Sequence, residues 1–211
     1  MTAADQTLRL ESLTAFLADD YAKLRLYMGD TMFNAVGRRC LATYALEAQN
    51  VRTLSRHMPD FLNLTKPFSR NPELSDLARL ERAFHAARNA PEAIIVPGFP
   101  HPLAPGLYRF DFHPSVQRLQ LRTNATSIWS ALTAGEFPPP PALLAAPLEL
   151  LVWRQGAASR FRMLGQEEAI ALDEAALGEA VRIDQSSESF LRGWIESEII
   201  SSLRNVDDAG E

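Results

Sequence analysis

Side chains able to do acid–base, nucleophilic or metal chemistry are few in this chain, and their spacing is wrong for each. His57, His85, His101 and His113 form no His-x-x-x-His pair and have no cysteine or carboxylate at ligand spacing, so a transition-metal site built by the chain itself is not indicated. Cys40 is the single cysteine, which excludes an intramolecular disulfide and reads as a packing residue on a helix face. Asp19-Asp20, Glu167-Glu168 and Asp207-Asp208 are adjacent in sequence, so on a helix the two acids of each pair point in different directions and read as solvated. There is no Gly-x-Ser-x-Gly, no phosphate-cradling glycine loop and no dinucleotide fingerprint. The inventory favours binding over catalysis: the chain reads as a non-enzyme with no metal or cofactor of its own.

Binding residues must be positioned by elements, and the most informative stretch runs from Pro147 to Leu203. Leu148–Arg154 and Ser159–Leu164 read as a β-hairpin around Gln155-Gly156-Ala157-Ala158, with Phe161 and Met163 alternating inward. A lone hairpin is not stable in water, and its partners follow at once. The pattern predicts three helices: Glu167–Ala176, a short one over Leu177–Ile183, and Phe190–Leu203, whose Phe190, Leu191, Trp194, Ile195, Ile199 and Leu203 recur at helical spacing.

The first half is helical. Residues 5 to 28 carry an apolar stripe through Leu10, Leu13, Phe16, Leu17, Tyr21 and Leu24 that stops at Gly29, and Asp30 or Thr31 starts a second helix bearing Met32, Phe33, Val36, Cys40, Leu41 and Tyr44. Pro59 divides Val51–Leu64. Glu73–Asn89 is the clearest helix, with Leu74, Leu77, Leu80, Ala83, Phe84 and Ala87 on one face, Asp76 and Glu81 toward its start and His85 at the boundary of the stripe. The proline-rich stretch Ala90–Pro105 divides an all-helical domain, 1–92, from an α+β domain, 93–211. The second opens with strands over Leu107–His113 and Val116–Arg122, a short helix over Thr126–Thr133 and a polyproline-like link, Phe137–Pro141. The fold class is therefore α+β, ending in a hairpin and three helices over about 147–203.

Charge narrows the partners. Of 211 residues 46% are hydrophobic and 22% charged, an ordinary globular composition, and the net charge is −5. Residues 147–211 hold 6 basic and 13 acidic side chains, whereas 1–146 hold 15 and 13. A duplex-binding surface needs a basic stripe, so the acidic C-terminal part argues against DNA as the main partner. Arg38, Arg39, Arg52 and Arg56 offer the nearest thing to a basic face and read first as a solvated one. No run reaches the roughly 18 apolar residues of a membrane span, and the N-terminus carries no secretion pattern. The expectation is a cytoplasmic protein.

Several of these residues carry a resemblance. Gly29-Asp30 with Phe33, Tyr44, Val51-Arg52, Pro59-Asp60-Phe61-Leu62 and Leu74-Ser75-Asp76-Leu77-Ala78-Arg79-Leu80-Glu81-Arg82-Ala83 resemble the first domain of the HvfC/BufC family. The later His113-Pro114-Ser115, Leu151-Val152-Trp153-Arg154 with Gly156, and Phe190-Leu191 with Trp194 are similar to it too. The resemblance implies two contexts that disagree. The family's first domain carries a DNA-binding label, yet its members act as partner subunits of multinuclear iron oxidases of the methanobactin and bufferin type, bringing the leader of a ribosomally made precursor peptide to an enzyme that modifies peptide cysteines. Iron would then belong to the partner.

The residues support the second context on their own terms, because a hairpin followed by helices resembles winged-helix-like elements that take a peptide as an added strand. The edge is Ser159–Leu164, with Arg160, Arg162 and Leu164 as contacts, and the groove wall is the Leu191, Trp194, Ile195 and Glu198 side of the last helix. Arg160 and Arg162 would meet acidic leader residues, and Glu196 and Glu198 basic ones. The alternative is a DNA-binding transcriptional regulator using the same element or the arginine-bearing helices of the first half.

Overall fold

A computed structural model describes residues 15–44, 55–93 and 104–206. Expectations that fall on Leu10, Leu13, Val51, Arg52, His101 and the acidic tail lie outside the described residues. The chain forms two compact units: one takes the chain up to His85 together with Gln120–Leu148, the other takes Ala86–Leu119 and Glu149–Glu211.

The first unit is helical. Residues 15–20 are helical and lead into α1 (Ala22–Met28), followed by α2 (Asp30–Tyr44), α3 (Met58–Leu64), a 3-10 turn at Phe68–Arg70, and α4 (Pro72–Arg88). Gly29 separates α1 from α2, where the apolar stripe predicts a break. Phe33, Val36, Cys40 and Leu41 are buried on α2 as their spacing requires, whereas Met32 is half-exposed. The later α5 (Ala125–Ala134) joins this unit: Trp129 packs on Phe84 of α4 at 4.6 Å between ring centres.

Two acids of α4 are not solvated helix-start charges. Asp76 is buried, and its Oδ2 accepts from the Arg122 and Thr123 backbone N–H groups at 2.7 and 2.9 Å and from the Thr123 hydroxyl at 2.9 Å. Glu81 is buried as well and accepts from the Lys23 and Leu24 N–H groups at 2.7 and 2.8 Å, capping α1 from another helix. The Leu-x-Asp-Leu-Ala-x-Leu-Glu pattern thus places leucines and acids on buried sides of α4, the acids serving backbone donors that would otherwise be unpaired.

The second unit has its core around Trp194. β1 (Gly106–Phe112) lies between β5 (Val181–Ile183) and β6 (Ile200–Asn205), antiparallel to both. α6 (Gln166–Ala176) and α7 (Glu188–Glu196) add Ala171, Leu172, Ala175, Leu191 and Trp194 to a core with Tyr108, Phe110, Leu151 and Trp153. Phe110 and Phe112 meet Trp194 edge-on at 5.5 and 5.2 Å. A second sheet has the order β2 (Gln117–Thr123), β3 (Leu143–Gln155), β4 (Ala158–Met163). β1 and β2, although joined by a short turn, belong to different sheets.

The α+β class is as the sequence predicts, but the layout after the hairpin differs. Of the three expected helices, two are present; Leu177–Ile183 supplies strand β5, and the last helix ends at Glu196 with Ile200–Asn205 as strand β6. Both helices stop in the same way. After α6 the Glu179 N–H bonds to Glu174 O and the Gly178 N–H to Ala175 O, with Gly178 at φ 74°. After α7 the Ile199 N–H bonds to Trp194 O and the Glu198 N–H to Ile195 O, with Glu198 at φ 57°. Each is a left-handed Schellman stop that frees the following β-branched residues to extend. The hairpin is also tighter than expected: two residues, Gly156-Ala157, make the turn, and Gly156 at φ 58° supplies the left-handed first position such turns need.

Candidate functional site

β4 is the outermost strand of its sheet. Its partner is β3, in antiparallel register from Leu150 opposite Met163 to Gln155 opposite Ala158, and among the described residues no strand lies on its other side. In a two-residue hairpin the pair flanking the turn exchanges both main-chain bonds and alternate pairs repeat this, so Ala158, Arg160 and Arg162 bond toward β3. The Leu164 N–H to Glu149 O bond of 2.9 Å fits the same parity. The main-chain groups of Ser159, Phe161 and Met163 therefore point away from β3.

The side chains are arranged oppositely to the expected alternation. Arg160 and Arg162 lie opposite Trp153 and Leu151, which are core residues, so the arginine face is the one turned toward α6 and α7. Met163 is 67% exposed and Phe161 half-buried. The reversal has a physical cause in Glu168. This carboxylate, only 5% exposed, accepts two bonds from the Arg162 guanidinium, that from Nη1 at 2.6 Å, and a third from the Trp194 indole N–H at 2.6 Å. A buried carboxylate needs donors on each oxygen, and a bidentate guanidinium with an indole N–H supplies them. Arg162 keeps a partly solvated head while its stem covers the core.

The other candidates sort by burial. Trp194 is fully buried and Leu191 is 2% exposed, so neither forms the wall of an open groove: both are core residues of the second unit. Leu164 is partly buried and packs against that core. Arg160 and Glu198 are exposed, Glu198 on the turn that ends α7. The structure thus brings Arg162 and Trp194 together through Glu168, and leaves Arg160, Met163 and Glu198 on the surface. Glu168 is the residue missed by reading Glu167-Glu168 as a solvated pair. Its signal is the spacing Glu168, Ala171, Leu172, Ala175, which puts it on the buried stripe of α6 while Glu167 stays exposed.

His113 and Ser115 form a second polar cluster. The Ser115 N–H donates to His113 Nδ1 at 3.1 Å, the two side chains meet at 2.8 Å, and the Arg154 N–H donates to Ser115 Oγ at 3.0 Å. Ser115 is fully buried, so the pair locks the β1–β2 turn to β3 and has no face for a substrate. Burial and then the neighbouring Arg154 hold the imidazole below its ordinary pKa. Among the described residues no group of three or more histidine, cysteine or acidic side chains converges to hold a metal ion, and no helix is long and apolar enough to cross a membrane. Compared with protein-family models and with the curated proteins, the chain matches none.

Proposed function

We propose that this chain is a non-catalytic partner subunit that holds the leader of a ribosomally made precursor peptide as an added strand on β4 and presents it to a multinuclear iron-dependent oxidase modifying peptide cysteines. The observation that carries the reading is the place of β4, outermost in its sheet, with main-chain groups of alternate residues directed away from β3 and with Arg160 and Met163 exposed. Strand addition draws affinity from main-chain hydrogen bonds and specificity from alternate side chains. Met163 offers an adaptable apolar contact, and Arg160 a charge for an acidic leader residue. The Glu168 ion pair fixes the neighbouring Arg162, so the strand is rigid before the peptide arrives, which lowers the ordering cost of binding.

The hairpin with α6 and α7 would serve as a winged-helix-like recognition element in which β5 stands between the two helices. In this reading the protein works in the cytoplasm and the iron resides in the oxidase. The second unit as a whole, with 9 basic and 15 acidic residues, is a poor surface for duplex DNA. The test is co-purification of this chain with a tagged multinuclear iron oxidase of the methanobactin type, with and without a precursor peptide of that type. A complex that gains peptide only when this chain is present is the expected result. Absence of a complex, together with salt-sensitive retention of duplex DNA by this chain alone, would transfer the assignment to a DNA-binding regulator.

A further inference from the structure

The segment after α5 is displayed rather than packed. Gly135, at φ 74°, stops the helix in the left-handed region, and the Glu136 N–H bonds to Ala131 O at 2.9 Å. Phe137-Pro138-Pro139-Pro140-Pro141 then lead toward β3 without helix or strand structure. Each proline fixes its own φ at about −65° and drives the residue before it to the extended region, so Phe137–Pro140 run as a left-handed polyproline helix. Its far end is held by Asn124, the residue that precedes α5. The Asn124 side chain donates to Pro140 O and accepts from the Ala142 N–H, both at 2.9 Å, and the Asn124 N–H bonds to Ala142 O at 3.0 Å. One helix thus clamps the run at both ends, and the spacings agree. Asn124 to Ala131 rises about 10 Å along an α-helix, and Glu136 to Pro140 about 12 Å along a polyproline helix.

Phe137 is fully exposed, and Pro140, one polyproline turn further on, is exposed as well, while Pro138 and Pro139 are half-buried. The outward edge therefore carries an aromatic ring and a pyrrolidine. A large aromatic side chain held wholly in water on a doubly clamped segment contributes no burial to the fold. We propose that Phe137–Pro141 is a preorganised docking ligand, which a partner protein takes into a groove lined by aromatic rings. Four successive prolines carry no N–H, so the run cannot receive a β-strand. Its pyrrolidine faces and carbonyl acceptors are what aromatic grooves and their indole or phenol donors recognise. A fixed polyproline helix has little left to order on binding. Glu136, exposed at the head of the run, fits a cation on the rim of such a groove. The segment belongs to the helical unit, and the proposal does not depend on strand addition at β4.

The experiment titrates the unlabelled full chain into 15N-labelled SH3, WW and EVH1 domains, all of which read polyproline with aromatic grooves, and follows the indole N–H signals of the groove tryptophans. At least one domain should show saturable movement with the full chain. Phe137→Ala should weaken that binding by roughly tenfold, as loss of an aromatic anchor does, and Glu136→Lys should weaken it several-fold. Both side chains are exposed, so neither change disturbs the core. The free peptide Gly135–Leu143 should bind more weakly than the full chain, because its ends are unclamped; equal or tighter binding of the peptide would overturn the preorganisation. Movement with the free peptide and none with the full chain would show the run closed off by its own fold and would overturn the proposal. Silence of all three domains, or indifference to Phe137→Ala, would overturn it too. Self-association of the chain in sedimentation that is lost in Phe137→Ala would give the run to a second copy instead, and would equally count against a separate partner.

Discussion

Glu168→Ala removes the acceptor on which Arg162 and Trp194 converge. Three bonds are lost at once, two of them charge-assisted and bidentate, and the Trp194 indole N–H is left without a partner inside the core. Breaking a buried ion pair from one side costs about 3–5 kcal/mol, and a stranded donor about 1–3. The Arg162 side chain is 31% exposed and can turn to water, which recovers part of the loss, so about 3 kcal/mol is expected. The assay is urea unfolding of the second unit followed by the fluorescence of Trp153 and Trp194, with the midpoint compared at constant slope. Arg162→Ala alone should cost about as much, because Glu168 is then buried with a single donor, and the double variant should cost clearly less than the two summed. A loss under about 0.5 kcal/mol for Glu168→Ala, or additivity in the cycle, would refute the view that this carboxylate organises the unit.

In the first unit, burial pushes Glu81 up to about 7 from an ordinary 4.5, against the lowering effect of the Lys23 and Leu24 N–H groups. Between those values the folded chain keeps a proton the unfolded chain releases, so stability is fullest below about 4.5 and falls as pH rises through the window, by roughly 2–3 kcal/mol from pH 5 to 8. Urea titrations at both pH values should show that fall in the native chain and not in Glu81→Gln; equal slopes would contradict it. Asp76→Ala should destabilise the same unit by about 3 kcal/mol, since three donors converge on one oxygen, whereas Asp76→Asn should recover part of this; a cost below about 1 kcal/mol by denaturant melt would count against that role. Glu198→Gly relieves a left-handed non-glycine residue and should stabilise the second unit by about 0.5–1 kcal/mol, with destabilisation in a thermal melt as the contrary result.

Local pattern carried far in this chain. The stripe of α4, the strands after Pro105 and the helix at 125–134 are legible because each repeats a period over seven residues or more, and the hairpin because its six-residue second strand follows a glycine-bearing turn. β5 was not, since three residues are too few to show alternation. The end of α7 was hidden by its chemistry: the stop at Ser197-Glu198 contains no glycine, so the apolar spacing through Ile199 and Leu203 read as more helix. That β1 and β2 enter different sheets is a matter of tertiary pairing, which a short turn between two strands argues against. At the candidate site, the arginines of β4 were legible as a pair but not as the inward face, because that depends on a carboxylate on α6. Leu191 and Trp194 were apolar residues that core and groove would claim equally, and the aromatic residues of β1 decide for the core.

In the proposed function β4 is the edge to which a leader adds. Amide hydrogen exchange of the full chain, measured with and without the precursor peptide, tests it most directly. Strand addition predicts slowed exchange at Met163, whose N–H points away from β3, with little change at Arg160 and Arg162, which already bond toward it. Peptide binding that leaves the β4 amides unchanged, or that slows inner and outer positions alike, would contradict strand addition at this edge.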